Sequence, residues 1–140
     1  MTPMSETSPA ELIRAFVSTY DPETGADSIV DRPGLAQFLR EHGLVSGPVP
    51  ISPAHHEEAV ALRDGLLAHL SDAAPRDTDA IAHAQRILDG LRITVALDVD
   101  SRRVFAPAVV EELRRALARV AAAWATVVIT GEWRDLRNLR

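Results

Sequence analysis

The chain is expected to fold as an α+β domain, mainly α-helical, with about five helices packed against one short β-hairpin. Three observations predict this. Apolar residues recur at helical spacing in five stretches, a Ser or Asp of the helix-capping kind precedes four of them, and the period switches once, at Ile93, to strict alternation. A chain of 140 residues suits one domain with a single core. Residues 1–7 are expected to be disordered, 8–130 to form the domain, and 131–140 to be a C-terminal tail.

The first helix starts at Ser8-Pro9-Ala10-Glu11, with a capping Ser, Pro at the first helical position and Glu placed for a capping box. Leu12, Ile13, Phe16, Val17 and Tyr20 share its apolar face, and the turn-rich run from Asp21 to Asp27 ends it. Asp31 caps a second helix bearing Leu35, Phe38 and Leu39, which Gly43 terminates. After a loop over Leu44–Ile51, Ser52-Pro53 opens the third helix, with Ala59, Leu62, Leu66, Leu67 and Leu70 as its core stripe. Ser71 to Arg76 is a turn, and the fourth helix begins at Asp77, burying Ile81, Ala84, Ile87, Leu88 and Leu91. Ile93, Val95, Leu97 and Val99 then alternate with polar or small residues as a half-buried strand. Asp98 to Arg102 reads as a turn and Arg103-Val104-Phe105 as the returning strand. A lone hairpin is marginal in water, so it must either pack on the helices or pair with another chain, and a homodimer is one of the two arrangements this allows. Pro107 is expected to open the last long helix, with Val109, Val110, Leu113, Leu117, Val120, Ala121, Trp124 and Val128 on one side and an Ala-rich stretch from Ala118 to Ala125 suited to close packing. Gly131 interrupts it, and a short amphipathic tail follows.

Composition excludes several functions. With no cysteine there is no disulfide, Cys-ligated zinc, iron–sulfur cluster or thiol nucleophile. Fifteen Arg without a Lys read as codon bias of a GC-rich genome. The net charge of −5 and a pI near 5.5 argue against autonomous DNA binding, which calls for a basic stripe. No apolar run approaches the roughly 18 residues of a membrane span, and the N-terminus lacks the regions of a signal peptide. A cytoplasmic location with no membrane partner is expected.

Four patterns carry a resemblance. They are Phe16-Val17-Ser18-Thr19-Tyr20-Asp21-Pro22, Leu35-Ala36-Gln37-Phe38-Leu39-Arg40-Glu41-His42-Gly43-Leu44, Ala59-Val60-Ala61-Leu62-Arg63-Asp64-Gly65-Leu66 and Gly131-Glu132-Trp133-Arg134-Asp135-Leu136-Arg137. In this order, over most of residues 12–137, the chain resembles the ABATE domain of bacterial stress-induced transcription regulators. The resemblance implies a regulatory domain followed by a DNA-binding zinc finger with a Cys-Gly-Asn-Arg signature. These residues end at Arg140, about where the first metal-ligating cysteines of that finger are expected, so the chain is read as lacking it. Ser18 stands where the family carries Asn in an Asn-Thr pair.

The candidate sites each have two readings. His55-His56-Glu57-Glu58 has metal-ligating residue types, but neighbours on a helix point about 100° apart, so they are read as polar residues at a helix start and no metal is assigned. His42 suits a helix C-terminus, and His69 and His83 are read as surface histidines. Arg63 lies beside an apolar stripe and needs compensation for its desolvation. It either forms a salt bridge with Asp21 or another acid or clamps an anionic ligand. Thr19, Tyr20 and Asp21 are candidates for lining the same region, where they also serve capping and packing. Trp124 is read as core. Trp133, Arg134 and Arg137 are candidates for coupling the tail to a following domain, or a solvated helix end, with Arg140 continuing their basic edge. No catalytic residue and no cofactor is assigned. The leading function is a ligand-sensing or dimerisation domain with a small-molecule effector, ahead of a metal-independent enzyme of specialised metabolism and of a structural interaction module.

Overall fold

The computed structural model describes residues 8–71, 77–91, 93–95, 105–107 and 112–137. Among them are six helices: α1 (Pro9–Val17), α2 (Arg32–Glu41), α3 (Pro53–Leu70), α4 (Thr78–Gly90), α5 (Glu112–Thr130) and α6 (Trp133–Arg137). The tail thus holds a sixth, short helix. Two three-residue strands, β1 (Ile93–Val95) and β2 (Phe105–Pro107), pair antiparallel with Thr94 opposite Ala106. The expected turn at Asp98–Arg102, the returning residues Arg103-Val104, the 72–76 turn, Val109-Val110, Arg140 and residues 1–7 lie outside the described residues. Pro107 does not open the last helix. It ends β2, a position that tolerates a residue without an N–H.

The helix starts follow from single side chains that satisfy first-turn N–H groups. Ser8 Oγ accepts from Glu11 N at 3.1 Å while Glu11 Oε1 accepts from Ser8 N at 3.1 Å, a complete capping box. Asp31 accepts from Gly34 N (2.8 Å), Ser52 from His55 N (3.1 Å) and Asp77 from Ala80 N (3.0 Å). At the end of α2, Gly43 adopts φ +67°. This lets Gly43 N reach Arg40 O (3.1 Å) and Leu44 N reach Leu39 O (2.9 Å), a Schellman close that non-glycine residues disfavour.

Ile13 and Phe16 of α1, Leu35 and Leu39 of α2, Leu62 of α3 and Leu113, Leu117, Val120 and Val127 of α5 form one continuous core with Ile29 from the turn segment. Each such side chain stabilises by about 1.5–3 kcal/mol on burial. The α5 stripe runs to Val127, leaving Val128 exposed, because Val127 lies seven residues from Val120 and returns to its face. Ala116, Ala118 and Ala123 are buried within the chain, and α1 is the helix on which α5 packs most extensively. α3 packs most extensively on α4. They leave no room for a side chain at Gly65, where a Cβ would overlap Ala84 Cβ and sit 2.8 Å from Ala80 O. α6 lies against α1, α3 and α5. No helix among the described residues is long and apolar enough to cross a membrane.

Candidate functional site

The centre of the site is Arg63, which α3 carries into the core at 2% exposure. A charge there requires partners on every nitrogen. Nη1 and Nη2 meet Asp27 Oδ1 (2.6 Å) and Oδ2 (3.1 Å) as a bidentate fork. Nη1 also donates to Thr19 Oγ1 (3.3 Å), and Nε donates to Asp64 Oδ1 (2.9 Å), which Nη2 approaches at 2.9 Å. The guanidinium lies 5.5 Å from the Tyr20 ring centroid, within cation–π range. Burial pushes the guanidinium's pKa down, but the bonds to Asp27 and Asp64 more than offset it and hold it above its ordinary value. The Asp27 carboxyl is held below its ordinary range, first by the Arg63 hydrogen bond, against burial, with the Ile29 N–H assisting.

The partners converge because residues 19–28 double back. Tyr20 and Asp27 form an isolated antiparallel bridge, Asp21 N donates to Ala26 O (2.8 Å), and Ser28 N donates to Thr19 O (2.9 Å). Gly25, at φ +77°, closes the loop through its N–H to Asp21 O (2.7 Å). Asp21 uses its carboxylate within this turn, accepting from Glu23 N (2.9 Å) and Thr24 Oγ1 (3.0 Å). The acids that meet Arg63 are therefore Asp27 and Asp64, not Asp21. With an oxygen opposite each nitrogen, the guanidinium has the geometry of a salt bridge, and an anion would have to displace a carboxylate to reach it.

Two clefts flank this network. One, of about 420 Å³, is lined by Val17, Ser18, Tyr20, Asp21, Pro22, Glu23, Leu67, Leu70, Ser71 and Leu136. It lies where the ends of α1 and α3 meet the turn and α6. The other, of about 340 Å³, lies between α3, the start of α4 and the end of the turn, and is lined by Asp27, Val30, His56, Glu57, Val60, Ala61, Asp64, Ala80 and His83. Both volumes fall in the range of small-molecule sites.

Of the sequence-derived candidates, Thr19, Tyr20 and Arg63 come together, Asp21 shares their turn, and Tyr20 and Asp21 also border the larger cleft. Thr19 is buried and donates to Phe16 O at 2.7 Å. Trp133, Arg134 and Arg137 lie on α6, where the Arg134 guanidinium stacks 5.2 Å from the Trp133 ring. Leu136, buried on the same helix, joins α6 to the cleft. His69 is no isolated surface residue. Its ring meets Trp124 edge-on at 5.6 Å and lies 6.2 Å from Trp133, linking α3, α5 and α6. Trp124 is half-buried against the core. His56 Nε2 donates to Ile29 O (2.9 Å) and His42 packs 4.4 Å from Phe38. Among the described residues no group of three or more His, Asp or Glu is arranged to hold a metal ion. Sequence reasoning missed Asp27, Asp64, His69 and Leu136. No sequence signal set Asp27 apart from the other acids of the turn, and Leu136 gave only a single apolar residue in a polar tail.

No curated protein and no solved structure matches the chain. The family model of ABATE, described as "Putative stress-induced transcription regulator", matches residues 10–131, which include both clefts' turn segment, Arg63, Asp27 and Asp64. With that match over most of its length, the chain belongs to the ABATE family.

Proposed function

We propose that this domain is the ligand-sensing part of a transcription regulator, that its effector is a small molecule held in the 420 Å³ cleft, and that α6 carries the signal. One observation supports the reading above others: Leu136 of α6 forms a wall of the cleft that the Tyr20–Glu23 turn borders on the other side. A ligand there touches turn and tail together, and its differential contact with two positions of α6 is what a sensor requires. Tyr20 and Asp21 contact the effector. Thr19 and Arg63 act from behind, holding the turn through Asp27. Trp133, with Arg134 and Arg137, anchors and orients the tail, which in the family leads toward the Cys-Gly-Asn-Arg zinc finger.

The test is a compound-library melting screen run in parallel on the wild type and on Ser18→Phe. Ser18 is exposed at the end of α1 and lines the cleft, so a Phe there fills it from the rim. A true effector at 100 times its Kd stabilises by about 2.7 kcal/mol, a rise of roughly 9 °C for a domain of this size, and the rise disappears in Ser18→Phe. A library whose binders all act equally on both proteins would contradict the assignment.

A further inference from the structure

We propose that the other cleft, of about 340 Å³, is a separate site for a linear aliphatic diamine, with one ammonium at each end of the cleft and the methylenes between. This goes beyond the sensing reading and does not rest on it. Glu57, Val60, Ala61 and Asp64 of α3 all line the cleft. They stand at i, i+3, i+4 and i+7, so they form one stripe down a single helix face. The stripe is apolar in the middle and carries a carboxylate at either end, the two positions lying about 10 Å apart along the axis. Val30 from the turn segment and Ala80 of α4 extend the apolar wall. Both carboxylates keep acceptor capacity. Asp64 is half-exposed and gives Oδ1 to Arg63 Nε and Nη2, and among the described residues Oδ2 accepts no hydrogen bond. Glu57 is exposed and forms no ion pair among the described residues. At the Asp64 end one guanidinium is shared by two carboxylates, Asp27 and Asp64, so the three groups together stay negative. The imidazoles of His56 and His83 complete the lining and add acceptor nitrogens when neutral. A diamine lying along the stripe meets a carboxylate at each end and covers Val60 and Ala61 with its hydrocarbon. A monoamine satisfies one end only.

Four probes separate the possibilities: 1,5-diaminopentane, pentylamine, 1,5-pentanediol and magnesium ion, titrated against the 140-residue chain with calorimetry and melting temperature as readouts. The diamine is expected to bind about 2- to 5-fold more tightly than pentylamine, the contribution of one further exposed ion pair, with no binding of the diol. Added salt should weaken both amines, the diamine more steeply. Glu57→Gln, an exposed change outside the core, should bring the diamine down to the affinity of pentylamine. Ser18→Phe, which fills the other cleft, should leave the diamine's affinity unchanged. A diamine no tighter than pentylamine, or an advantage that survives Glu57→Gln, would overturn the two-ended site. Magnesium matching the diamine would overturn it in favour of a bare divalent cation. Diamine binding lost in Ser18→Phe would place the ligand in the sensing cleft and overturn the assignment, as would no binding by any probe. The library screen decides the sensing reading by itself.

Discussion

Asp27 is the residue on which the turn and α3 depend jointly, because its two carboxylate oxygens answer the two outer nitrogens of a guanidinium that has almost no contact with water. Removing one partner of such a pair leaves a buried charge uncompensated and typically destabilises by about 3–5 kcal/mol. Asp27→Ala should lose stability of that order in urea unfolding near neutral pH. The pH dependence follows from the lowered pKa of Asp27. A carboxyl depressed in the folded state contributes stability that is fully present above its unfolded value, about 4, and is lost as pH falls through the folded value. The wild type should therefore lose stability on acidification below roughly pH 4, and Asp27→Asn should flatten that limb. An equal acid slope in the two proteins would show that the carboxylate is not linked to folding. Arg63→Lys should also destabilise, since an ammonium cannot reproduce the fork to Asp27 together with the bonds to Asp64 and Thr19. At this scale the sequence disclosed half the pair. Arg63 stood out as a charge beside an apolar stripe, whereas Asp21, Asp27 and Asp31 were indistinguishable as its partner until the Tyr20–Asp27 bridge turned one of them inward.

At the scale of elements, helix starts were the most legible feature, since a Ser or Asp bonding the N–H three residues on is a local event that needs no tertiary context. Asp31→Ala should cost about 1 kcal/mol, measurable as a lower urea midpoint with unchanged slope. Close packing was less legible. Gly65 reads in sequence as a weak point of α3, and replacing it with Ala would ordinarily favour the helix by roughly 1 kcal/mol. Here the added Cβ meets Ala84 and the Ala80 carbonyl, so α3 and α4 must separate. Overpacking costs about 1–3 kcal/mol, so Gly65→Ala is expected to destabilise by up to about 2 kcal/mol net, and an increase in melting temperature would contradict this packing. The α5 stripe shows the same limit: a list of apolar residues at roughly helical spacing did not distinguish Val127, which is buried, from Val128, which is not. Pro107 was misplaced because a Pro ahead of an amphipathic run fits a helix start as well as a strand end.

For the whole molecule, the family and the mainly helical class were legible from ordered patterns spread along the chain, each weak by itself. The clefts were not, because a concavity arises from elements far apart in sequence: the larger one needs the end of α1, the end of α3, the 20–23 turn and α6. The same holds for His69, Trp124 and Trp133, which come from three helices: His69 meets Trp124 between α3 and α5, and Trp133 joins His69 where α6 docks. On the proposed sensing reading, the docking of α6 makes the tail a reporter of the cleft. Leu136→Ala should loosen α6 while leaving the Arg63 network in place, seen as a red shift of tryptophan emission with little change in the acid limb of stability. The most direct test of the sensing account is hydrogen exchange over residues 133–137 with and without a compound that binds the wild type but not Ser18→Phe. The account predicts a changed exchange rate in α6 together with that of the 20–23 turn. A compound that fills the cleft and alters the turn while leaving exchange in α6 unchanged would contradict it.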